Sequence, residues 1–233
     1  MKKISICMAT YEMGGYGHVL LDTLLTSLKS QTLQDFDVVI SDQSNDTKVL
    51  EVCEKHSVSI DIKYFKYFYN RGKAACNINE AMKYATGEVI KILYQDDYFT
   101  EVEALSKIYK KFQEGAKWVI NGWTHTQDDS SYFNTKIPFY GDHIIVGENS
   151  LGNPSNFAIL SSERIFMDES LLYVVDCEFY YQAKLKLGPP DIITDPLVCA
   201  RIHPVSSFNN PKFMNLKEEE VNYCLKKHNI RLI

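Results

Sequence analysis

The sequence predicts an α/β fold with a mostly parallel central sheet flanked by helices. Strand-like apolar runs alternate with helical stripes at least three times in the first half of the chain. Polar or acidic residues stand directly after three of those runs: Thr10 and Tyr11, Asp42, and Asp96 with Asp97. Parallel strands share one carboxyl edge, so these residues are expected to border one crevice, where open α/β sheets bind ligands.

Ile4 to Ala9 reads as the first strand. Gly14-Gly15-Tyr16-Gly17 follows as a turn, and Leu20, Leu21, Leu24, Leu25 and Leu28 form a helical stripe. The glycines do not complete a dinucleotide-binding fingerprint, because Gly15-x-Gly17-x-x lands on Leu20. Phe36 to Ser41 is a second strand, and Asp46 or Thr47 is placed to cap a helix over Val49 to Glu54. Ile60 to Phe65 is a third strand. Asn70-Arg71-Gly72-Lys73 leads into a helix with Ala74, Ile78, Met82 and Ala85 on one face, closed by Gly87. Val89 to Leu93 is a buried strand that delivers Gln95, Asp96 and Asp97 to its carboxyl end. Leu105, Ile108, Tyr109 and Phe112 mark another helix, stopping at Gly115, and Trp118-Val119-Ile120 a further strand.

The second half is less regular. Gln127 to Phe133 is polar and turn-rich, and Asn153-Pro154-Ser155-Asn156 precedes a short apolar run, Phe157 to Leu160. Asp176 opens a helix with Phe179, Tyr180, Ala183 and Leu187 on one face. Ile192, Ile193, Leu197 and Val198 suggest one or two strands, with Pro196 marking an edge or a break. A polar loop after Arg201-Ile202-His203-Pro204 leads to a charged helix from about Phe213 to His228, where Glu218-Glu219-Glu220 reads as a solvated face. No repeat or low-complexity linker divides residues 1–233, so one domain is expected.

Composition narrows the function classes. An apolar fraction of 45% and a charged fraction of 24% are ordinary for a soluble globular protein. A net charge of −5 gives no electrostatic case for nucleic acid. No apolar run has the length of a membrane span, and Met1-Lys2-Lys3 enters the first strand without a signal-peptide pattern, so a cytoplasmic location is expected. The six cysteines are scattered without a Cys-x-x-Cys pair and read as reduced, buried small hydrophobes.

Adjacent carboxylates repel each other unless a cation sits beside them. Mg²⁺ and similar hard ions are held by one or two carboxylates plus substrate phosphates. Each acid also has a plainer reading. Asp97 or Thr100 would cap the helix beginning near Glu101, and Asp176 would cap its own helix. Asp42 would serve turn chemistry, Lys73 a solvated helix start, and His203 a surface loop.

Seven segments in order, from about Ile4 to Ser207, resemble the GT-A fold, family 2 glycosyltransferases. These transfer a sugar from a nucleotide diphosphate donor with inversion. The segments are Ser5 to Tyr11, Ser27 to Thr32, Val38 to Asp46, Asn70 to Asn77, Gln95-Asp96-Asp97, Val175 to Phe179, and Arg201-Ile202-His203 with Ser206-Ser207. The resemblance implies that Ala9, Thr10 and Tyr11 meet the nucleotide base, with the Tyr11 ring stacking on uracil or thymine. It implies that Asp42 accepts from the pyrimidine N–H, and that Arg71, Lys73 and Asn77 form the donor side. Gln95-Asp96-Asp97 becomes the metal motif: Asp97 binds Mn²⁺ or Mg²⁺, and Asp96 meets the ribose or sugar. His203 closes over the diphosphate as a second metal contact. Asp176 becomes the general base, with Glu178 as backup. Residues 1–122 would form the donor-binding half, 123–212 the acceptor and catalytic half, and 213–233 a C-terminal helix.

The match has departures. Ser41 replaces a frequent Asp, Gln43 a Gly or Asn, Cys76 a frequent Arg and Val175 a frequent acid. With Cys76 uncharged, Arg71 or Lys73 is expected to supply the donor-side charge. The implied partners are a nucleotide-diphosphate sugar, UDP- or dTDP-linked by preference, and a glycan or glycolipid acceptor near Trp123, His125 and Tyr132. Arg201 to Asn210 would be a lid. A sugar-nucleotide nucleotidyltransferase is the enzymatic alternative, but Tyr11-Glu12-Met13-Gly14-Gly15 lacks the basic residue its loop needs. A binding module without turnover is the other, and the presence of both Asp97 and Asp176 argues against it.

Overall fold

The computed structural model describes residues 1–203 and 215–231. Four strands lie parallel in the order β3-β2-β1-β4: β1 (Ile4–Thr10), β2 (Phe36–Asp42), β3 (Ile62–Lys66) and β4 (Val89–Ile92). β1, β2 and β4 are covered on both faces, which is why they read as apolar runs rather than alternating ones. Successive side chains still divide between two cores. Ile4, Ile6, Met8, Val38 and Ile40 meet α1 (Gly17–Lys29), α2 (Lys48–Ser57) and α4 (Ala104–Gln113) on one side. Cys7, Val39, Ile90 and Ile92 meet α3 (Ala74–Lys83), α5 (Val175–Leu187) and α6 (Lys217–Lys227) on the other.

The second half extends this sheet with mixed polarity. β8 (Phe157–Leu160) runs antiparallel to β4, and β6 (Trp118–Thr126) antiparallel to β8. β9 (Asp191–Arg201) is parallel to β6, with β5 (Asp97–Phe99) antiparallel beyond it. β7 (Phe133–Lys136) hangs antiparallel on β6. All six cysteines are buried and unpaired. Among the described residues no helix is long and apolar enough to cross a membrane.

Three local expectations change. Pro196 marks neither an edge nor a break: β9 is one strand between β6 and β5, and its register slips beside Gly122. The bulge absorbs the proline, and it crowds Gly122 so closely that a Cβ would lie 2.8 Å from the Thr194 carbonyl oxygen. Gly87 does not close α3, which ends at Lys83 with Tyr84 as its C-cap. Its backbone instead passes so close to β1 that a Cβ would stand 2.6 Å from Ser5 N. Glu220 is buried rather than solvated. The expected lid lies outside the described residues from Pro204 onward, as do Ser206, Ser207 and Phe213.

Gly87→Ala must push β1 and β4 apart. We expect a loss of about 1–3 kcal/mol, the usual cost of overpacking, read as a lowered midpoint in thermal or urea unfolding. An unchanged midpoint would mean that the close approach to β1 is not rigid.

Candidate active site

The carboxyl ends of β1, β2 and β4 converge as expected. Thr10 and Asp42 are register partners, and the Thr10 hydroxyl donates to Asp42 Oδ1 at 3.1 Å. Asp42 is fully buried. It also accepts from Ser44 N (3.0 Å), Ser44 Oγ (2.6 Å), Tyr64 Oη (2.7 Å) and Lys66 Nζ (2.9 Å). Burial alone would raise its pKa, but the bonds from Ser44, Lys66 and Tyr64 outweigh that and hold it below the usual carboxylate range. Five donors fill a group with about four lone-pair sites. A pyrimidine N–H would have to displace one of them.

Tyr11 is gripped through its backbone. Its N–H donates to Gln95 Oε1 at 2.6 Å, and Gln95 Nε2 donates back to its carbonyl at 2.9 Å. Gln95 is therefore committed to orienting Tyr11, a residue that remains 41% exposed. Gly17 makes room for this clasp, since a Cβ there would lie 2.6 Å from Gln95 Nε2. Ala9 is half-buried just before the clasp. Asn77 Nδ2 donates to the Thr10 carbonyl at 3.1 Å. Its own Oδ1 is buried without a partner among the described residues. Arg71 stands on the Tyr11 side, donating to the Gln43 carbonyl at 3.0 Å and pairing with Glu12. Lys73 reaches away, to the Glu169 carbonyl at 3.3 Å.

The two acids of the central motif part company. Neither Asp97 nor Thr100 caps α4, whose N-cap is Glu103 without a side-chain bond. Thr100 Oγ1 donates to the Pro196 carbonyl instead. Asp97 opens β5 opposite Ala200 and is 2% exposed. Asn153 Nδ2 donates to its Oδ2 at 2.8 Å, and Ser155 is a second hydrogen-bonding neighbour. Burial first, then the charge of Asp96, raises its pKa; those donors and Arg201 oppose the rise. Asp96 is half-buried, with its carboxylate 3.1 Å from His203 Nε2. That bond raises the His203 pKa. His203 thus bonds Asp96 rather than Asp97, and its Nδ1 has no partner among the described residues. Arg201 ties the region together, reaching the Asp96 carbonyl at 3.0 Å and Asp129 at 2.7 Å while lying 4.4 Å over the Tyr98 ring.

Among the described residues no three imidazole, thiolate or carboxylate groups are arranged to hold a metal by themselves. A hard divalent ion does not require that, because phosphate oxygens and waters complete its shell. Asp96, Asp97 and His203 offer the oxygen and imidazole donors that Mn²⁺ or Mg²⁺ takes.

Asp176 is the second residue of α5, whose N-cap is Val174 without a side-chain bond. It therefore does not cap its helix, and its carboxylate has no hydrogen-bond partner among the described residues. It is enclosed but still reached by solvent, and burial pushes its pKa up to about 7. Tyr94 lies within electrostatic reach of Asp176, Asp97 and Asp96. Tyr180 donates to the Gly152 carbonyl beside Asn153 at 3.0 Å. Glu178 is not a spare base: it is fully buried and bound by Gln182, Lys227 and His228 at 2.5, 2.7 and 2.9 Å. Trp123 lies against Gly152, His125 stacks on Phe133, and Tyr132 is half-exposed nearby.

Asn153 and Ser155 are the partners sequence reasoning missed, together with Lys91. Lys91 is fully buried in β4, donating to the Ser155 carbonyl and to Asn121 Oδ1. Burial lowers its pKa to about 7, opposed by Asp97. A charged residue inside Val-Ile-Lys-Ile-Leu was the available signal.

Residues 5–170, well over half the chain, match the family model for glycosyl transferase family 2. The chain belongs to that family. Its fold is GT-A, shared with a crystal structure of Staphylococcus aureus TarS in complex with UDP-GlcNAc. That likeness has a TM-score of 0.73 and 20% identity over 99% of this chain and 68% of that one. A mannosyltransferase from Pyrobaculum calidifontis in complex with GDP-Man and Mn²⁺ superposes with a TM-score of 0.62 and 15% identity, over 97% and 64%. Among curated proteins the chain is similar to the poly(ribitol-phosphate) beta-N-acetylglucosaminyltransferase TarP of Staphylococcus aureus, 30% identical over 52% of this chain and 36% of that protein. It is also similar to a GalNAc(5)-diNAcBac-PP-undecaprenol beta-1,3-glucosyltransferase of Campylobacter jejuni, 29% identical over 49% and 36%. The aligned stretch thus spans about a third of each of these relatives.

Asn153→Ala leaves a buried carboxylate one donor short. The expected cost is about 1–3 kcal/mol of stability, more at pH 8 than at pH 5, because only the ionised form needs the lost donor. Denaturant unfolding at the two pH values measures it, and an equal effect at both would remove Asn153 as the partner of the charged form.

Proposed function

We propose that this chain is a metal-assisted, inverting glycosyltransferase that uses a nucleotide-diphosphate sugar, with a UDP-sugar favoured. The observation that carries this is that neither Asp97 nor Asp176 is spent on capping a helix, while Asp97 adjoins the Asp96–His203 pair and the Asp176 carboxylate has no hydrogen-bond partner among the described residues. Tyr11, whose backbone is held by Gln95, is the surface for a pyrimidine ring, with Arg71 beside it. Asp96, Asp97 and His203 are the groups for a divalent cation on the diphosphate. When bound, that cation draws off negative charge as the nucleotide leaves.

Asp176 does the proton work. Its carboxylate takes the proton of the acceptor hydroxyl as that oxygen bonds to the anomeric carbon. The bond from the anomeric carbon to the diphosphate breaks, and its electron pair leaves with the nucleotide. One base and one displacement invert the anomeric centre. A base works best when its pKa is near the operating pH, and burial has moved Asp176 there. Half-exposed Trp123, His125 and Tyr132 mark the side from which a glycan or glycolipid acceptor would approach.

Calorimetry with UDP, with and without Mn²⁺, tests the donor half. Asp97→Asn should abolish the Mn²⁺ dependence of UDP binding, and binding that ignores both metal and Asp97 would refute the assignment. UDP release from UDP-GlcNAc, with water or a polyol as acceptor, tests the base. Asp176→Asn should bind UDP as wild type yet turn over roughly 10²–10⁴-fold more slowly, the usual contribution of a general base. The base acts as the carboxylate, so wild-type turnover should rise with pH through about 7. A flat profile across that range would count against Asp176.

A further inference from the structure

We infer that Glu220 is a positioning residue for Asp176, an inference that rests on Asp176 being the base. The carboxylate of Glu220 is 8% exposed and accepts three successive backbone N–H groups: Leu172 (2.8 Å), Tyr173 (2.8 Å) and Val174 (2.9 Å). Those amides form the run-in to α5, and Val174 brings no side-chain cap of its own. Converging amides of this kind make a nest for an anion. The chain fills the nest with its own glutamate, through charge-assisted bonds of the strong kind.

The rest of α6 acts on the same segment. Positions 220, 223, 227 and 228 share one helix face, by the spacing of 3.6 residues per turn. Tyr223 and Lys227 hold Asp168 at 2.9 and 2.7 Å. Lys227 and His228 hold Glu178 at 2.7 and 2.9 Å. One face of α6 therefore fixes residues 168, 172–174 and 178, on both sides of Asp176. Asp176 makes no bond of its own among the described residues, so the start of α5 sets its place. All four clamping residues lie beyond the segment that matches the family model.

The test uses Glu220→Ala and Glu220→Gln in the full chain. Hydrogen exchange at amides 172–174 reads the nest without any ligand, and should quicken at least about tenfold in Glu220→Ala as these buried bonds are lost. UDP release from UDP-GlcNAc should slow about tenfold or more, since a misplacement of ~1 Å costs up to roughly 10²-fold. UDP affinity in Mn²⁺ and the KM for UDP-GlcNAc should stay within about twofold, because the donor groups sit on the sheet. Glu220→Gln keeps one carbonyl acceptor and should recover part of the lost kcat. If Glu220→Ala does not fold, Glu220→Gln alone decides, by a lowered kcat with intact UDP binding. Faster exchange with wild-type kcat would overturn the positioning role, as would a joint fall of kcat and UDP affinity. Full turnover in Asp176→Asn would instead sink the base assignment, whatever Glu220 does.

Discussion

A carboxylate buried at the inner end of a strand has to be surrounded by donors, and much of the second half of this fold serves Asp97 in that way. β8 turns back against β4, which lays the Asn153–Asn156 turn beside residues 94–97. β9 carries Ala200 opposite Asp97 and Arg201 onto the Asp96 carbonyl. Lys91 lies beneath, one strand segment earlier, tied to Ser155 and Asn121. Moving a lone ion into an apolar interior costs far more than any one of these bonds returns. A buried ammonium and a buried carboxylate in one polar cluster offset each other's cost. The sheet core can thus hold a buried charge.

The parallel half of the sheet was legible because three of its four strands are almost wholly buried and each return helix carries a single apolar stripe. Both patterns are local and survive in the sequence. The antiparallel half was not, for equally physical reasons. β5 and β7 are three- and four-residue strands of mixed polarity, too short to show a period. Pro196 argues against a central strand wherever the ladder is regular, but a bulge beside Gly122 removes that objection. Gly87 looked like a helix stop because glycine usually is one there. Its actual reason is the backbone of β1, more than 80 residues earlier, and no local pattern carries that.

The acids of the site were legible for the same reason as the strands: strand ends on a shared edge place Thr10, Asp42 and Asp97 together. Their individual duties were not. Asp42 and Gln95 were expected at the ligand, yet one is filled by five donors and the other by the Tyr11 backbone. A polar side chain at a strand end can face the crevice or brace its neighbours, and only distant residues decide which. Glu220 reversed in the opposite direction. Within Glu218-Glu219-Glu220 nothing local separates the two exposed acids from the buried one. Only the helical face shared with Cys224 and Leu225 does so, and that face is polar enough to pass for surface.

The two chemical roles are consequently anchored by different physics. Asp96, Asp97 and Tyr11 belong to strand ends, where moving one residue means slipping a register and turning every side chain of that strand to the other face. Asp176 belongs to the first turn of a helix, where backbone groups are unsatisfied by the helix itself and depend on what meets them. Here what meets it is the Glu220 carboxylate, on a helix that belongs to no strand. On the proposed assignment, the nucleotide end thus rests on strand register, while the place of the base rests on contacts from the C-terminal helix.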